Sequence, residues 1–336
     1  MNKIILFCQN GYSHLLKNEL ESQGFGEFLL VTDSYIIINS SNYEPLKRLT
    51  FSHGFIPSYQ EFKADSVNSI SKTIFDYYGN LIRDKEIDSQ WQLLFFQDNS
   101  NSGIGRRINS VKKHFLETCS KRTSRLSKLI TSNWSVNTFY NFGLFIFFKD
   151  HETFYISDKC YTGFQKRMAD DPLAPSRSYL KIEEAYYSLG YEPQQNDTVV
   201  DLGAAPGGWS YSAAKRGARI LAIDNGNLKG GAKDHPLITH KKEDAFKFNL
   251  KKGERVDWLF CDMVEEPKYV LNTIEKWLLN KWCKYFIVNL KFGWVDPVVL
   301  SNKLKSSDSI FSKYAKDFKI VHLFHDHEEI TIVGEI

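Results

Sequence analysis

From Thr198 to the end, two hydrophobic rhythms alternate along the chain. Short apolar runs occupy Thr198 to Leu202, Arg219 to Asp224, Ile238 to Lys242, Val256 to Cys261, Tyr285 to Leu290, Lys319 to Phe324 and Ile330 to Val333. These have strand length, and the stretches between several of them carry apolar residues every three or four positions, the helical period. Tyr269 to Trp282, for example, puts Val270, Ile274, Trp277 and Leu278 on one side. Trp209 to Arg216 and Val298 to Ala315 read the same way, and a helix from Tyr179 to Leu189 comes first. Strands alternating with helices predict a mostly parallel sheet covered on both faces. Only Asp326 to Glu329 separate the last two strands. That is hairpin length, so the final strand is predicted antiparallel to its neighbour.

The first half has a different pattern. Residues 3 to 8 read as a buried strand, and Ser13 to Gln23 as a short helix bearing Leu15, Leu16 and Leu20 and ended by Gly24. Phe28 to Asn39 predicts two strands around Asp33-Ser34, and Tyr43 to Leu49 a short helix, together a small βαβ-type unit. Helices are expected over Val67 to Arg83 and Arg106 to Ile130, and a strand over Trp91 to Phe96. Phe139 to Lys149 and Thr153 to Ser157 read as a hairpin. Cys160 to Ser178, with Gly163, Pro172 and Pro175, reads as a connector. The expected division is residues 1–55, 56–160, a linker over 161–178, and 179–336.

Composition changes this picture in three places. A chain of 336 residues is comfortable for more than one domain. The net charge of +3 is mild, but between Arg106 and Lys128 eight basic residues stand against one acid, Glu117, a local charge of +7. Such a skew suits contact with a phosphate backbone, and equally a solvated helix face. The five cysteines (8, 119, 160, 261 and 283) have no metal-ligand spacing and suit a reducing compartment. The longest fully apolar run, Leu144 to Phe148, is too short to span a bilayer. A cytoplasmic protein with no membrane partner and no metal is the expectation.

The candidate chemistry begins at Val199 to Ser210, Val-Val-Asp-Leu-Gly-Ala-Ala-Pro-Gly-Gly-Trp-Ser. An apolar strand runs into small residues and then a helix. Gly203, Ala204, Ala205, Gly207 and Gly208 leave room for a ligand against the backbone. Pro206 suits the first turn of the helix. The dinucleotide fingerprint G-x-G-x-x-G requires glycine where this chain has Ala205, which counts against a nicotinamide-dependent dehydrogenase. In a parallel sheet, ligands sit beyond the carboxyl ends of the strands. Those ends carry Asp201, Asp224, Asp244, Asp262 and Lys291. Asp224 is placed to accept the hydroxyls of a cofactor ribose, and Asp244 to lie near an adenine.

The loop resembles the first motif of S-adenosylmethionine-dependent methyltransferases, and the catalytic half resembles the RrmJ/FtsJ-like ribose 2′-O-methyltransferases. The family's Lys-Asp-Lys-Glu tetrad matches Lys181 in Ser-Tyr-Leu-Lys-Ile-Glu-Glu, Asp262 in Cys-Asp-Met, Lys291 in Asn-Leu-Lys, and Glu329 in His-Glu-Glu-Ile-Thr-Ile, with Glu328 competing for the last place. More narrowly, the chain resembles the M-type bacterial large-subunit (23S) rRNA methyltransferases, which act on a cytidine ribose. Phe-Cys-Gln-Asn-Gly-Tyr, Ile-Asp-Asn-Gly, Glu-Asp-Ala-Phe-Lys-Phe and Cys-Asp-Met-Val-Glu-Glu-Pro carry that likeness.

The resemblance implies an α/β, Rossmann-like, seven-stranded methyltransferase domain with an antiparallel terminal hairpin, preceded by ferredoxin-like and THUMP-like α+β pieces. It implies S-adenosyl-L-methionine as cofactor, RNA rather than DNA as partner, and a cofactor contact from Ser178. It implies Lys291 as the base that takes the ribose proton, which requires a partly neutral amine. Lys181 is expected to lower the Lys291 pKa by charge repulsion. Asp262 and Glu329 are expected to orient the two lysines. Two departures stand out: Ala205 where the family often has Cys, and Phe-Gly-Trp after Asn-Leu-Lys. Methylation of another RNA such as tRNA, or RNA binding without catalysis, are the competing readings. Base methyltransferases often carry an Asn/Asp-Pro-Pro-aromatic motif where this chain has Cys-Asp-Met-Val, which disfavours a base as acceptor.

Overall fold

The computed structural model describes residues 2–98, 103–163 and 167–336. Contacts divide the chain into two compact units, Met1–Phe164 and Gln165–Ile336. Part of the expected linker, residues 164–166, lies outside the described residues.

The first unit holds β1 (Asn2–Phe7), α1 (Ser13–Ser22), β2 (Phe28–Val31), β3 (Tyr35–Ser40), β4 (Gly54–Ile56), β5 (Gln60–Lys63), α2 (Val67–Ile82), β6 (Trp91–Gln97), α3 (Ile104–Arg122), α4 (Ser124–Ser127), β7 (Ile130–Thr131), β8 (Thr138–Tyr140), β9 (Gly143–Phe148), β10 (Thr153–Ser157) and β11 (Cys160–Thr162). They form two sheets, β2-β3-β1-β4-β11-β8 and β5-β10-β9-β6-β7. The α1 crossover leads from β1 to β2, with β3 lying between them and antiparallel to both.

The expected strand Phe139 to Lys149 is in fact two strands in different sheets, β8 pairing with β11 and β9 with β6 and β10. Through β8 and β11, residues 138–162 complete the sheet that residues 1–56 begin. The apolar run in β9 now has a reason. Leu144, Ile146 and Phe148 pack on one side with residues of α2 and α3, while Phe145 and Phe147 pack on the other with Ile5, Tyr35 and Ile37. A central strand covered on both faces has no position for a polar residue. The expected helix over 106–130 starts at Ile104 and breaks at Thr123. Its apolar stripe, Ile104, Ile108, Val111, Phe115 and Cys119, is buried. Arg106, Lys113 and Lys121 are exposed.

The second unit holds α5 (Tyr179–Leu189), β12 (Thr198–Leu202), α6 (Gly208–Lys215), β13 (Arg219–Ile223), β14 (Ile238–Lys241), β15 (Val256–Cys261), α7 (Pro267–Leu279), β16 (Cys283–Lys291), α8 (Pro297–Lys305), α9 (Ile310–Tyr314), β17 (Asp317–Val321) and β18 (Glu329–Glu335). Its seven-stranded sheet runs β14-β13-β12-β15-β16-β18-β17. All strands are parallel except β18, which is inserted antiparallel between β16 and β17. The strand order reverses between β12 and β15, the switch point where such sheets open a crevice. The single helix expected over Val298 to Ala315 is α8 and α9, because the chain leaves the helix at Ser306 and is recapped by Ser309. Among the described residues no helix is long and apolar enough to cross a membrane.

Candidate active site

The turn after β12 is shaped by close backbone approach. Gly203 has φ +78°, and a Cβ there would lie 2.8 Å from Met263 Cγ and 3.1 Å from the Asp262 carbonyl oxygen. Gly207, at φ +109°, would put a Cβ 2.5 Å from that of Ala232. A side chain at Gly208 would meet the Tyr179 nitrogen at 3.0 Å and Ser176 Oγ at 3.1 Å. The small residues therefore let the loop fit against the β15 end, the Gly230–Ala232 turn and the start of α5. Pro206 does not enter the helix as expected: Gly207 precedes α6, which begins at Gly208, and the Ala205–Pro206 peptide is cis.

Asp224 follows β13, and its carboxylate accepts hydrogen bonds from the Ala205 N–H at 3.0 Å and the Gly226 N–H at 2.7 Å. Asp244, half-buried after β14, accepts from the Phe246 N–H at 3.0 Å. Beneath the loop, Asp201 is buried; its Oδ2 accepts from Ser210 Oγ at 2.6 Å, and its Oδ1 has no protein partner. Burial, with the nearby Asp262 and Asp224 charges, pushes the Asp201 pKa up to about 7. In this acid the folded pKa is the higher one, so between pH 3.8 and about 7 the folded state binds the extra proton. Stability should therefore fall as pH rises through that window, by up to about 4 kcal/mol at 1.36 kcal/mol per pKa unit. Asp201→Asn should flatten that dependence in urea unfolding at pH 5 and pH 8. An unchanged slope would assign the proton to another group.

The four charged tetrad candidates meet at the carboxyl end of the sheet. Lys181 comes from α5, Asp262 follows β15, Lys291 ends β16 and Glu329 begins β18. The β16–β18 register sets Lys291 directly opposite Glu329. Glu329 is buried and bridges both lysines, Oε1 to Lys181 and Oε2 to Lys291. Lys291 Nζ also donates to Asp262 Oδ1 at 2.7 Å and Asn289 Oδ1 at 3.0 Å. The other Asp262 oxygen accepts from Ser178 Oγ at 3.0 Å. Glu328 is exposed, and its backbone carbonyl accepts the Phe292 N–H at 2.9 Å.

The charge balance corrects the expectation for Lys291. Burial alone would lower its pKa, but the Asp262 and Glu329 charges and their hydrogen bonds outweigh it, so the pKa stands well above the usual lysine value. With two carboxylates against it, Lys181 does not make its neighbour neutral. Asp262 is the mirror case: burial would raise its pKa, yet the Lys291 and Lys181 charges hold the carboxyl below the usual range. Without ligands, Lys291 is an ammonium with an acceptor for each of its three protons.

Residues 174–324 match the FtsJ-like methyltransferase family. Over 99% of its length the chain is 30% identical to a ribosomal RNA large subunit methyltransferase M of Haemophilus influenzae (strain PittGG), covering 98% of that protein. The chain belongs to the M-type methyltransferase family. A second M-type relative, from Aggregatibacter aphrophilus (strain NJ8700), is 29% identical over 99% of both chains. Like its family, this M-type enzyme is an S-adenosylmethionine-dependent methyltransferase.

The loop residues suit that cofactor. Ser176 Oγ is buried against Gly208 without a protein partner, a hydroxyl free to meet a polar ligand. Asp224 already takes two backbone N–H groups, one on each oxygen, and a carboxylate has about four acceptor sites. The sequence reading missed a buried layer of this M-type site. Asn289 Nδ2 donates to Asp326 Oδ1 at 3.4 Å and Thr331 Oγ1 at 3.3 Å, while Thr331 Oγ1 donates to Asp326 Oδ2 at 3.0 Å. Glu184, buried on α5, accepts from the Phe324 and His325 N–H groups. The available signal was a polar side chain inside an apolar strand, Asn289 two residues before Lys291.

Proposed function

We propose that this methyltransferase acts on a ribose 2′-hydroxyl of RNA, with large-subunit ribosomal RNA as substrate and a cytidine as the acceptor nucleotide. The observation that carries the reading is the Lys181–Glu329–Lys291–Asp262 cluster at the carboxyl end of the sheet. The relatives' names support ribosomal RNA as the substrate class. A ribose hydroxyl is a very weak acid and needs a base at its oxygen. Lys291 is that base: as a free amine, its Nζ takes the hydroxyl proton. Asp262 and Glu329 then stabilise the ammonium that forms, and Lys181 holds Glu329 in place. Bound S-adenosylmethionine supplies an electrophilic methyl on a sulfonium, whose positive charge favours the neutral form of a nearby lysine. Ser176, Ser178, Asp224, Asp244 and the loop from Gly203 through Ala205, Pro206 and Gly207 to Gly208 would hold it. The deciding experiment transfers labelled methyl to unmodified total RNA and maps it by alkali-resistant cleavage. Label in tRNA alone, or at a base, overturns the reading.

The first unit, in this reading, is a THUMP-like RNA-binding piece. Its structure decides which basic residues to test. Arg122 lies over the Phe75 ring at 5.7 Å, and Arg125 donates to the Ile87 carbonyl at 3.3 Å. Arg106, Lys113 and Lys121 on the outer face are the better phosphate candidates. Changing these three to Gln should weaken RNA binding and reduce the slope of log K against log salt by about two, at roughly 0.7 per lost phosphate contact. An unchanged slope would leave that face merely solvated.

A further inference from the structure

The turn after Lys291 is fixed at both ends and exposes an indole between them. Phe292 is buried, and its N–H donates to the Glu328 carbonyl at 2.9 Å. The Val295 N–H closes the turn on the Phe292 carbonyl at 3.1 Å. Asp296 Oδ1 then accepts from the Val298 and Val299 N–H groups at 2.8 and 2.9 Å, capping α8. Between these anchors Trp294 is 55% exposed. Trp91, Trp209, Trp258 and Trp277 are buried in hydrophobic cores. An exposed indole on an anchored backbone is costly to leave in water and loses little freedom when something flat covers it. Three residues of chain reach at most about 10 Å, so Trp294 stays near Lys291. The neighbouring strand end adds a second exposed apolar side chain, Val264, two residues past Asp262.

We propose that Trp294 is a stacking platform for a nucleobase of the bound RNA, that of the acceptor nucleotide or its immediate neighbour. The proposal rests on the RNA ribose reading above. A ribose that reaches Lys291 brings its own base and those beside it to this rim, and every base presents a π-face to an aromatic ring. Stacking does not depend on which base is present, so Trp294 supplies affinity and holds the sugar still, while the tetrad supplies the reaction.

The test compares wild type, Trp294→Ala and Trp294→Phe on an unmodified large-subunit rRNA transcript, reading RNA Kd, KM, kcat, cofactor Kd and Tm. Trp294→Ala should raise RNA Kd and KM by about 5- to 150-fold, the range for one lost base stack. Trp294→Phe should recover most of that loss, with cofactor Kd and Tm unchanged in both. Tryptophan fluorescence quenched by the transcript in wild type should be reduced in Trp294→Phe. Wild-type RNA affinity in Trp294→Ala overturns the proposal while leaving ribose methylation intact. Equal losses in both variants with a lowered Tm mean a structural role and also overturn it. Absence of ribose label with the wild-type enzyme removes the RNA reading itself, and the proposal with it.

Discussion

Lys291→Arg should abolish methyl transfer while the protein still folds and binds cofactor. Arginine keeps the positive charge that Asp262 and Glu329 require, so neither buried carboxylate loses its counter-ion. What arginine cannot do is give up its proton, because its pKa exceeds 12. Lys291→Ala removes both properties, so it should lose the same activity and some stability as well. The expected fall in kcat is at least about 10²- to 10⁴-fold, the range for a general base. Cofactor affinity by calorimetry should stay within a few-fold of wild type. The raised Lys291 pKa adds a pH signature. At neutral pH the neutral amine is the minor form, so wild-type turnover should climb about tenfold per pH unit below the operative pKa and level off only in alkali. If Lys291→Arg turned over at the wild-type rate, the proton would leave by another route.

The parts of the sequence that were legible are those governed by local rhythm. The second unit could be read strand by strand because each of its parallel strands is a compact apolar run. The short connection before Glu329 also fixed the direction of β18. The first unit was harder. β8 and β9 form one apolar stretch in sequence, interrupted only at Asn141, and the separation into two sheets depends on partners far along the chain. Three-residue strands such as β4 and β11 carry too few positions for a period to register. In the site, residue types at strand ends identified the charged cluster, but not the balance within it. That Glu329 touches Lys291 follows from the register of β16 with β18, and that it touches Lys181 from the packing of α5 against β18; both are tertiary facts. The expectation of a lowered Lys291 pKa counted the neighbouring lysine and gave too little weight to two carboxylates held in direct contact. Asn289 was passed over because its strand neighbours are apolar, although a buried amide needs polar partners and so marks where a network runs.

Glu329→Ala should be the most destabilising single change at the site, and Glu328→Ala close to silent. Glu329 is the first residue of β18, whereas Glu328 still belongs to the connection before the strand. Glu329 faces inward, buried between Lys181 and Lys291, and Glu328 faces solvent. Removing Glu329 leaves two mostly buried ammonium groups close together with Asp262 as the remaining tetrad carboxylate. Breaking a buried ion pair from one side costs about 3–5 kcal/mol. Tm should therefore drop by about 10 °C at roughly 2–4 °C per kcal/mol for a unit of this size. Activity should fall with it, because the lysines lose the group that holds them in register. Glu329→Gln keeps an acceptor oxygen and the side-chain volume but removes the charge. It should recover part of the stability, and by relieving Lys291 of one carboxylate it should shift the alkaline rise in turnover to lower pH. Glu328→Ala retains the backbone carbonyl that anchors Phe292. Its Tm and turnover should match wild type; if Glu328→Ala were instead the inactive, unstable variant, the roles of the two glutamates would have to be exchanged.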